Sequence, residues 1–242
     1  MRRLTLFTAL ILALAARAQA APITFNAASG NLAASVVFNL SGSTLTVTLT
    51  NTSLFDTLVP ADVLTGVFFD INSAPVTLTP GSAVLGAGSS VLWGTTDPGE
   101  VVGGEWAYAG SIGASTPGGQ DSGISSAGLG VFGAGSFPGT NLSGPVSVNG
   151  MQYGIVSAGN IAGTGNQAVT GSNPLIDNSV VFTFSVSPNF NPYLITNVAF
   201  QYGTSFSEPR LSVPEPSSLL LLALSSVFVA GARRSLRRSA QR

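Results

Sequence analysis

Along Thr44-Leu45-Thr46-Val47-Thr48-Leu49-Thr50 every second residue is apolar, and a threonine stands at each position between. Successive side chains of an extended chain point to opposite faces, so this period of two predicts a strand with one buried and one wetted face. Threonine is β-branched and favours the same conformation. Ser179–Val186 repeats the pattern, with Val180, Phe182, Phe184 and Val186 on one face. Ala34–Leu40 leads through the turn signal Ser41-Gly42-Ser43 into the threonine run, which predicts an antiparallel hairpin. No stretch of the body carries a convincing apolar stripe at helical spacing. A chain patterned this way has to bury one face of a sheet against another sheet.

The remaining segments follow suit. Leu64–Ile71 predicts a third strand, and Ala74–Val84 a fourth whose Pro75 and Pro80 place it at a sheet edge. Leu194–Tyr202 predicts a last long strand after Pro188 and Pro192. Between these, Gly81–Gly171 holds 24 of the 29 glycines, so the middle is expected to be loop-rich. Short strand pieces are expected there at Val91–Trp93, Glu105–Tyr108 and Met151–Val156. The expected fold is all-β: a single antiparallel β-sandwich or jelly-roll-like domain over residues 21–212, closed by pairing late strands with early ones. No clean fixed-period repeat is visible, so a solenoid is second choice.

The chain lacks cysteine, histidine and lysine. It therefore has no disulfide framework, no thiolate nucleophile, no imidazole base and no Schiff-base amine. The formal charge of −1 conceals a strong asymmetry. Three arginines precede residue 21 and five follow residue 232; between Ala21 and Val213, nine acids face Arg210 alone, a net charge of −8. A body with one cation cannot neutralise a phosphate backbone, so nucleic acid is not an expected partner.

Both ends read as sorting segments. Arg2 and Arg3 precede an apolar run, Leu4–Ala16, and Ala18-Gln19-Ala20 offers small residues at a cleavage site. Residues 1–20 are expected to be a signal peptide handled by the Sec export machinery. At the other end, residues 213–242 place Val213-Pro214-Glu215-Pro216 before an uncharged span, Ser217–Ala232, and then Arg233, Arg234, Arg237, Arg238 and Arg242. The span is expected to form an apolar helix crossing the inner membrane, with the arginines as a basic anchor on its cytoplasmic side. These three parts in this order resemble the PEP-CTERM sorting signal of Gram-negative bacteria. The resemblance implies that an exosortase, a membrane transpeptidase-like enzyme, recognises Val213–Pro216. It also implies a chain held transiently in the inner membrane before it reaches the cell surface or the extracellular space. Within the body, Gly104–Tyr108, Gly123–Leu129, Asn141–Pro145, Asn149–Ile155 and Phe200–Ser205 resemble a group of exosortase-dependent surface proteins without an assigned activity.

Candidate chemistry is sparse. Asp97, Glu100 and Glu105 form the densest acidic cluster, and oxygen ligands of this kind suit Ca²⁺. Asp97-Pro98-Gly99 is equally ordinary turn chemistry, and no Asp-x-Asp-x-Asp-Gly loop is present. Glu100 and Glu105 are also the obvious pair for glycoside hydrolysis, which needs two acids at a set separation across a sugar. Trp93, Trp106 and Tyr108 either form an aromatic platform for a carbohydrate, an exopolysaccharide for example, or fill the core beneath the loops. Gly128-Leu129-Gly130-Val131-Phe132-Gly133 spells a dinucleotide fingerprint without the strand, helix and distal acid it requires, and is read as a chance match. No catalytic residue and no resident cofactor are assigned. The expected function is that of a non-enzymatic exported surface or extracellular-matrix protein. The alternative is a lectin-like carbohydrate-binding module, and the third choice is a glycoside hydrolase.

Overall fold

The computed structural model describes residues 21–72, 76–145 and 148–214. The expected signal peptide, the apolar span, Glu215, Pro216 and the arginines Arg233, Arg234, Arg237 and Arg238 lie outside the described residues. In chain order the strands are β1 (Ile23–Ser29), β2 (Leu32–Ser41), β3 (Thr44–Asn51), β4 (Leu64–Ile71), β5 (Leu78–Leu85), β6 (Val91–Leu92) and β7 (Ala107–Gly110). They continue with β8 (Ser122–Ser125), β9 (Ile155–Val156), β10 (Leu175–Asp177), β11 (Ser179–Val186), β12 (Ile195–Tyr202) and β13 (Arg210–Ser212). Among the described residues, helical conformation is confined to short 3-10 turns.

The first sheet runs β1-β2-β3-β11-β5 and is antiparallel throughout. The threonine run behaves as its spacing requires: Leu45, Val47 and Leu49 are fully buried, and the threonines between them are not. Register carries the pattern across the sheet. Phe38, Val47, Phe182 and Ala83 stand side by side as one buried row, and Val36, Leu49, Val180 and Leu85 as the next. β5 lies at the edge, as expected, and Pro80 sits beside a register shift where a missing N–H is tolerated, while Pro75 lies outside the described residues.

The second sheet is built around β4, with β12 on one side and β8 and β9 on the other. β13 extends it beyond β12, β7 beyond β8, and β10 then β6 beyond β9. The β9–β10 pair is parallel, a departure from the purely antiparallel expectation. The two sheets meet through aromatic edges, such as Phe38 on Phe69 with ring centroids 5.2 Å apart. Late β11 and β12 pair with early β3 and β4, which closes the sandwich as expected.

The glycine-rich middle departs most from expectation. Leu64–Phe69 is buried at every position, because β4 is covered on both faces. Val67 and Phe69 point into the inter-sheet core, while Phe68 enters a second apolar cluster with Ala107, Phe132 and Val148. The middle therefore serves both faces of β4: Phe132 and Val148 cover Phe68, while Trp106 and Phe137 join the inter-sheet core. Its glycines are where backbone meets backbone: a Cβ on Gly103 or Gly104 would stand 2.0 Å from the carbonyl oxygen of Pro138 or Thr140. The expected strand pieces are shorter than predicted. Trp93 leaves β6 with φ of 54°, Glu105 closes a 3-10 turn, and Met151–Gly154 is a turn.

Strand direction gives the sandwich two poles. β12 and β4 run antiparallel, so Ile195 and Ile71 mark one pole, and Tyr202 and Leu64 the other. The first described residue, Ala21, lies at the Ile195 pole, where Tyr193 Oη donates to its carbonyl at 3.4 Å. The body also leaves there: β13 runs back along β12, and the Val213 amide donates to the Val198 carbonyl at 2.8 Å.

Candidate functional site

Glu105 is 6% exposed, and its Oε1 accepts hydrogen bonds from the amides of Leu142 and Ser143. Burial pushes its carboxyl pKa up, and the two amide donors pull against that. Asp97 grips the same loop one step earlier, accepting from the Thr140 hydroxyl and the Thr140 amide, each at 2.6 Å. Those two bonds hold its carboxyl below the usual range. The two acids thus pin Thr140–Ser143 beside the Gly103-Gly104 turn. Glu100 stands exposed on the Asp97–Val101 turn with φ of 61°.

Asp97 and Glu105 thus face the loop they hold, and Glu100 faces solvent. Among the described residues, no group of three or more acidic side chains could hold a metal ion. Calcium needs six to eight oxygens, and Asp97 and Glu105 are both engaged by backbone amides. Glu105 is enclosed by the loop it holds while Glu100 is in solvent, so the two do not present a pair of carboxylates to a sugar.

Glu105 has a pH signature. Its folded-state pKa is raised, so the folded chain holds the proton more tightly than the unfolded chain does. Its stabilising contribution is complete below the unfolded value of 4.5 and is lost as pH rises through the folded value. Glu105→Gln keeps an oxygen acceptor and cannot ionise. Its Tm relative to the native chain is expected to rise between about pH 4 and about pH 7 in thermal unfolding. A relative Tm that falls over that window would mean the amide donors, and not burial, dominate.

The aromatic candidates also separate. Trp106 is fully buried, edge-on to Phe182 at 5.0 Å. Tyr108 is half-buried against Phe184 at 5.1 Å, with Oη 3.5 Å from Ser122 Oγ. Trp93 is 41% exposed. Trp106 therefore belongs to the core, because so large an apolar ring gains most when removed from water, and no shared platform exists. Tyr108 lines a cleft of about 380 Å³ with Ile71, Val76, Ser111, Asp121 and Ser122, and Trp93 is not part of that lining. Gly128–Gly133 is a turn in which the Val131 and Phe132 amides donate to the Gly128 carbonyl, delivering Phe132 onto Phe68.

Sequence reasoning missed a polar relay on the second sheet. The Arg210 guanidinium lies 5.0 Å from the Phe68 ring centroid and 5.9 Å from that of Phe206, and its Nη2 donates to Gln120 Oε1. Gln120 Nε2 donates to Asn197 Oδ1 at 3.0 Å, and Asn197 Nδ2 donates to Asp70 Oδ2 at 2.8 Å. The other Asp70 oxygen accepts the Asp121 amide at 2.7 Å. The one cation of the body is thus joined to a carboxylate through two amides, each oriented by the charges at the ends. Four residues so far apart in the chain leave no spacing to read.

At the end of β13, Val213 packs against the core and Pro214 is exposed. The first residue of the Val213–Pro216 segment is therefore hydrogen-bonded into the sheet. Among the described residues, no helix is long and apolar enough to cross a membrane. Residues 212–238 match the family model of the PEP-CTERM protein-sorting motif. That motif implies recognition by an exosortase and an exported, membrane-transiting route to the cell surface of a Gram-negative bacterium. No curated protein and no solved structure matches the chain.

Proposed function

We propose that this chain is a non-enzymatic surface protein whose β-sandwich body is displayed by its C-terminal sorting motif. The join between the two carries the proposal: Ser212 is both the last residue of β13 and the first residue matched to the motif. The folded body ends where the motif begins, so whatever holds the motif holds the body close by. The tail keeps the chain in the inner membrane until the exosortase acts, and the body then serves at the surface or in an extracellular matrix. The chemistry of the body supports a role in presentation. It has no cysteine, histidine or lysine, and two of its three clustered carboxylates hold a loop. The lectin-like alternative retains the cleft at Tyr108 but loses Trp106 to the core.

Intact mass of the protein from its own cells, with the C-terminal peptide mapped in each fraction, tests the proposal. Surface and secreted material is expected to lack everything beyond the Val213–Pro216 region, and inner-membrane material to extend to Arg242. A tail intact in every fraction would make this a tail-anchored periplasmic protein and remove the display role.

A further inference from the structure

We infer that the pole opposite the described ends of the body is a docking surface for a second copy of this chain. Seven large hydrophobic side chains stand exposed among the described residues, and five of them are here: Leu54 (95%), Phe55 (54%), Leu58, Val59 and Ile161 (62%). They come from two loops, residues 52–59 and 157–166, which follow β3 and β9. The loops are tied to each other. The Thr57 amide donates to Asn160 Oδ1, the Ile161 amide to Asp56 Oδ1 and the Asn166 amide to the Leu58 carbonyl, each at 2.8 Å. Ser157 Oγ donates to the Phe55 carbonyl at 3.2 Å, and Asp62 Oδ2 accepts from the amides of Leu58 and Val59 at 3.0 and 3.2 Å. These backbone groups are satisfied inside the chain, so covering the tip with another apolar surface strands none of them. Loops fastened in this way hold their apolar side chains outward.

Position and charge select the occupant. The first loop leads towards Leu64 and the second leaves β9, whose Ile155 pairs with Leu64, so both lie at the pole from which neither described end of the body emerges. The loops and the turn after the first of them carry Asp56 and Asp62 and no cation, so nothing there attracts an anionic bilayer or an acidic polymer. Both carboxylates are already engaged by backbone amides. The five side chains expose apolar surface on the order of 500 Å², at the upper end for a monomer that covers itself. With a polar rim, this approaches the roughly 800 Å² per partner of a standard interface. A second copy supplies the same apolar surface, its two carboxylates likewise held by its own backbone amides, and a two-fold axis matches the patch to itself. Such a pair is tip to tip, so it joins released copies, or copies on facing surfaces, and not neighbours in one membrane. Only the reach between facing surfaces rests on the display role proposed above; the pairing does not.

The chain has no cysteine, so a single introduced cysteine reports the contact. Full-length Leu54→Cys, made in its own cells, is expected to give a disulfide-linked dimer on non-reducing gels. Ser43→Cys, exposed at the opposite pole, is expected to give none. Sedimentation of the naturally processed protein is expected to show a dimer that strengthens with salt, because salt screens the repulsion between two acidic copies. Leu54→Ser combined with Phe55→Ser should weaken that dimer about tenfold or more. Equal crosslinking at both poles, or a monomer at every concentration, would overturn the inference. So would a monomer whose dye-labelled Leu54→Cys shifts to the blue on neutral phosphatidylcholine vesicles, since the occupant would then be lipid. Mass mapping of the tail reads the display role separately.

Discussion

Trp106→Ala is expected to destabilise the body by about 3–5 kcal/mol, the range for removing a fully buried aromatic side chain. Folded domains are held by only about 5–15 kcal/mol, so the variant should be near its unfolding threshold at physiological temperature. The size of the effect follows from where the indole sits. It is fully enclosed, edge-on to Phe182, and Phe182 in turn packs against Phe137 at 5.2 Å. Trp106 therefore pins the glycine-rich middle to the first sheet, and alanine there leaves a cavity that several neighbours line. Trp93, exposed where β6 ends, makes the contrast: Trp93→Ala should change stability by about 0.5 kcal/mol or less. Urea unfolding of both variants decides, with the midpoint falling for Trp106→Ala at an unchanged slope. A larger loss for Trp93→Ala would mean that the core is assigned to the wrong tryptophan.

Arg210→Ala is expected to cost about 2–4 kcal/mol, combining a lost cation–π contact with a stranded buried acceptor. Gln120 is 1% exposed, and its Oε1 accepts from Arg210. Without the guanidinium that oxygen keeps its desolvation penalty and loses its donor. Arg210→Lys should recover little of the loss, because an ammonium on a flexible stem does not stack on an aromatic ring as a planar guanidinium does. A double-mutant cycle with Gln120→Ala measures whether the relay acts as a unit. Arg210→Ala and Gln120→Ala together should cost clearly less than the sum of the two alone, since both remove the same bond. Simple additivity would show that Arg210 acts through the aromatic rings alone.

Legibility in the sequence tracked how local each signal is. β2, β3 and β11 were readable because each is long enough to repeat a pattern, and one buried face imposes that pattern. β4 was readable as a strand, but its burial on both faces was not, since Val67-Phe68-Phe69 reads the same whether one or two layers cover it. β8 is Ser-Gly-Ile-Ser, too short and too polar to signal a strand; it exists because β4 had an edge to pair. Asp97, Glu100 and Glu105 are neighbours in sequence, and that proximity suggested shared chemistry. A turn and a 3-10 turn then direct the first and last at the loop 140–143 and leave Glu100 in solvent.

By itself, the sequence determined the β class, the hairpin, the acidic character of the body and the sorting motif. Each is carried by composition or by a few consecutive residues, and so survives without knowledge of the partners. The tertiary structure alone decided that Trp106 is core, that Arg210 reaches Asp70 through two amides, and that both described ends share one pole while Leu54, Phe55 and Ile161 crowd the other. Burial and proximity depend on which distant segments meet, and that is settled only when strands far apart in the chain pair and exclude water together.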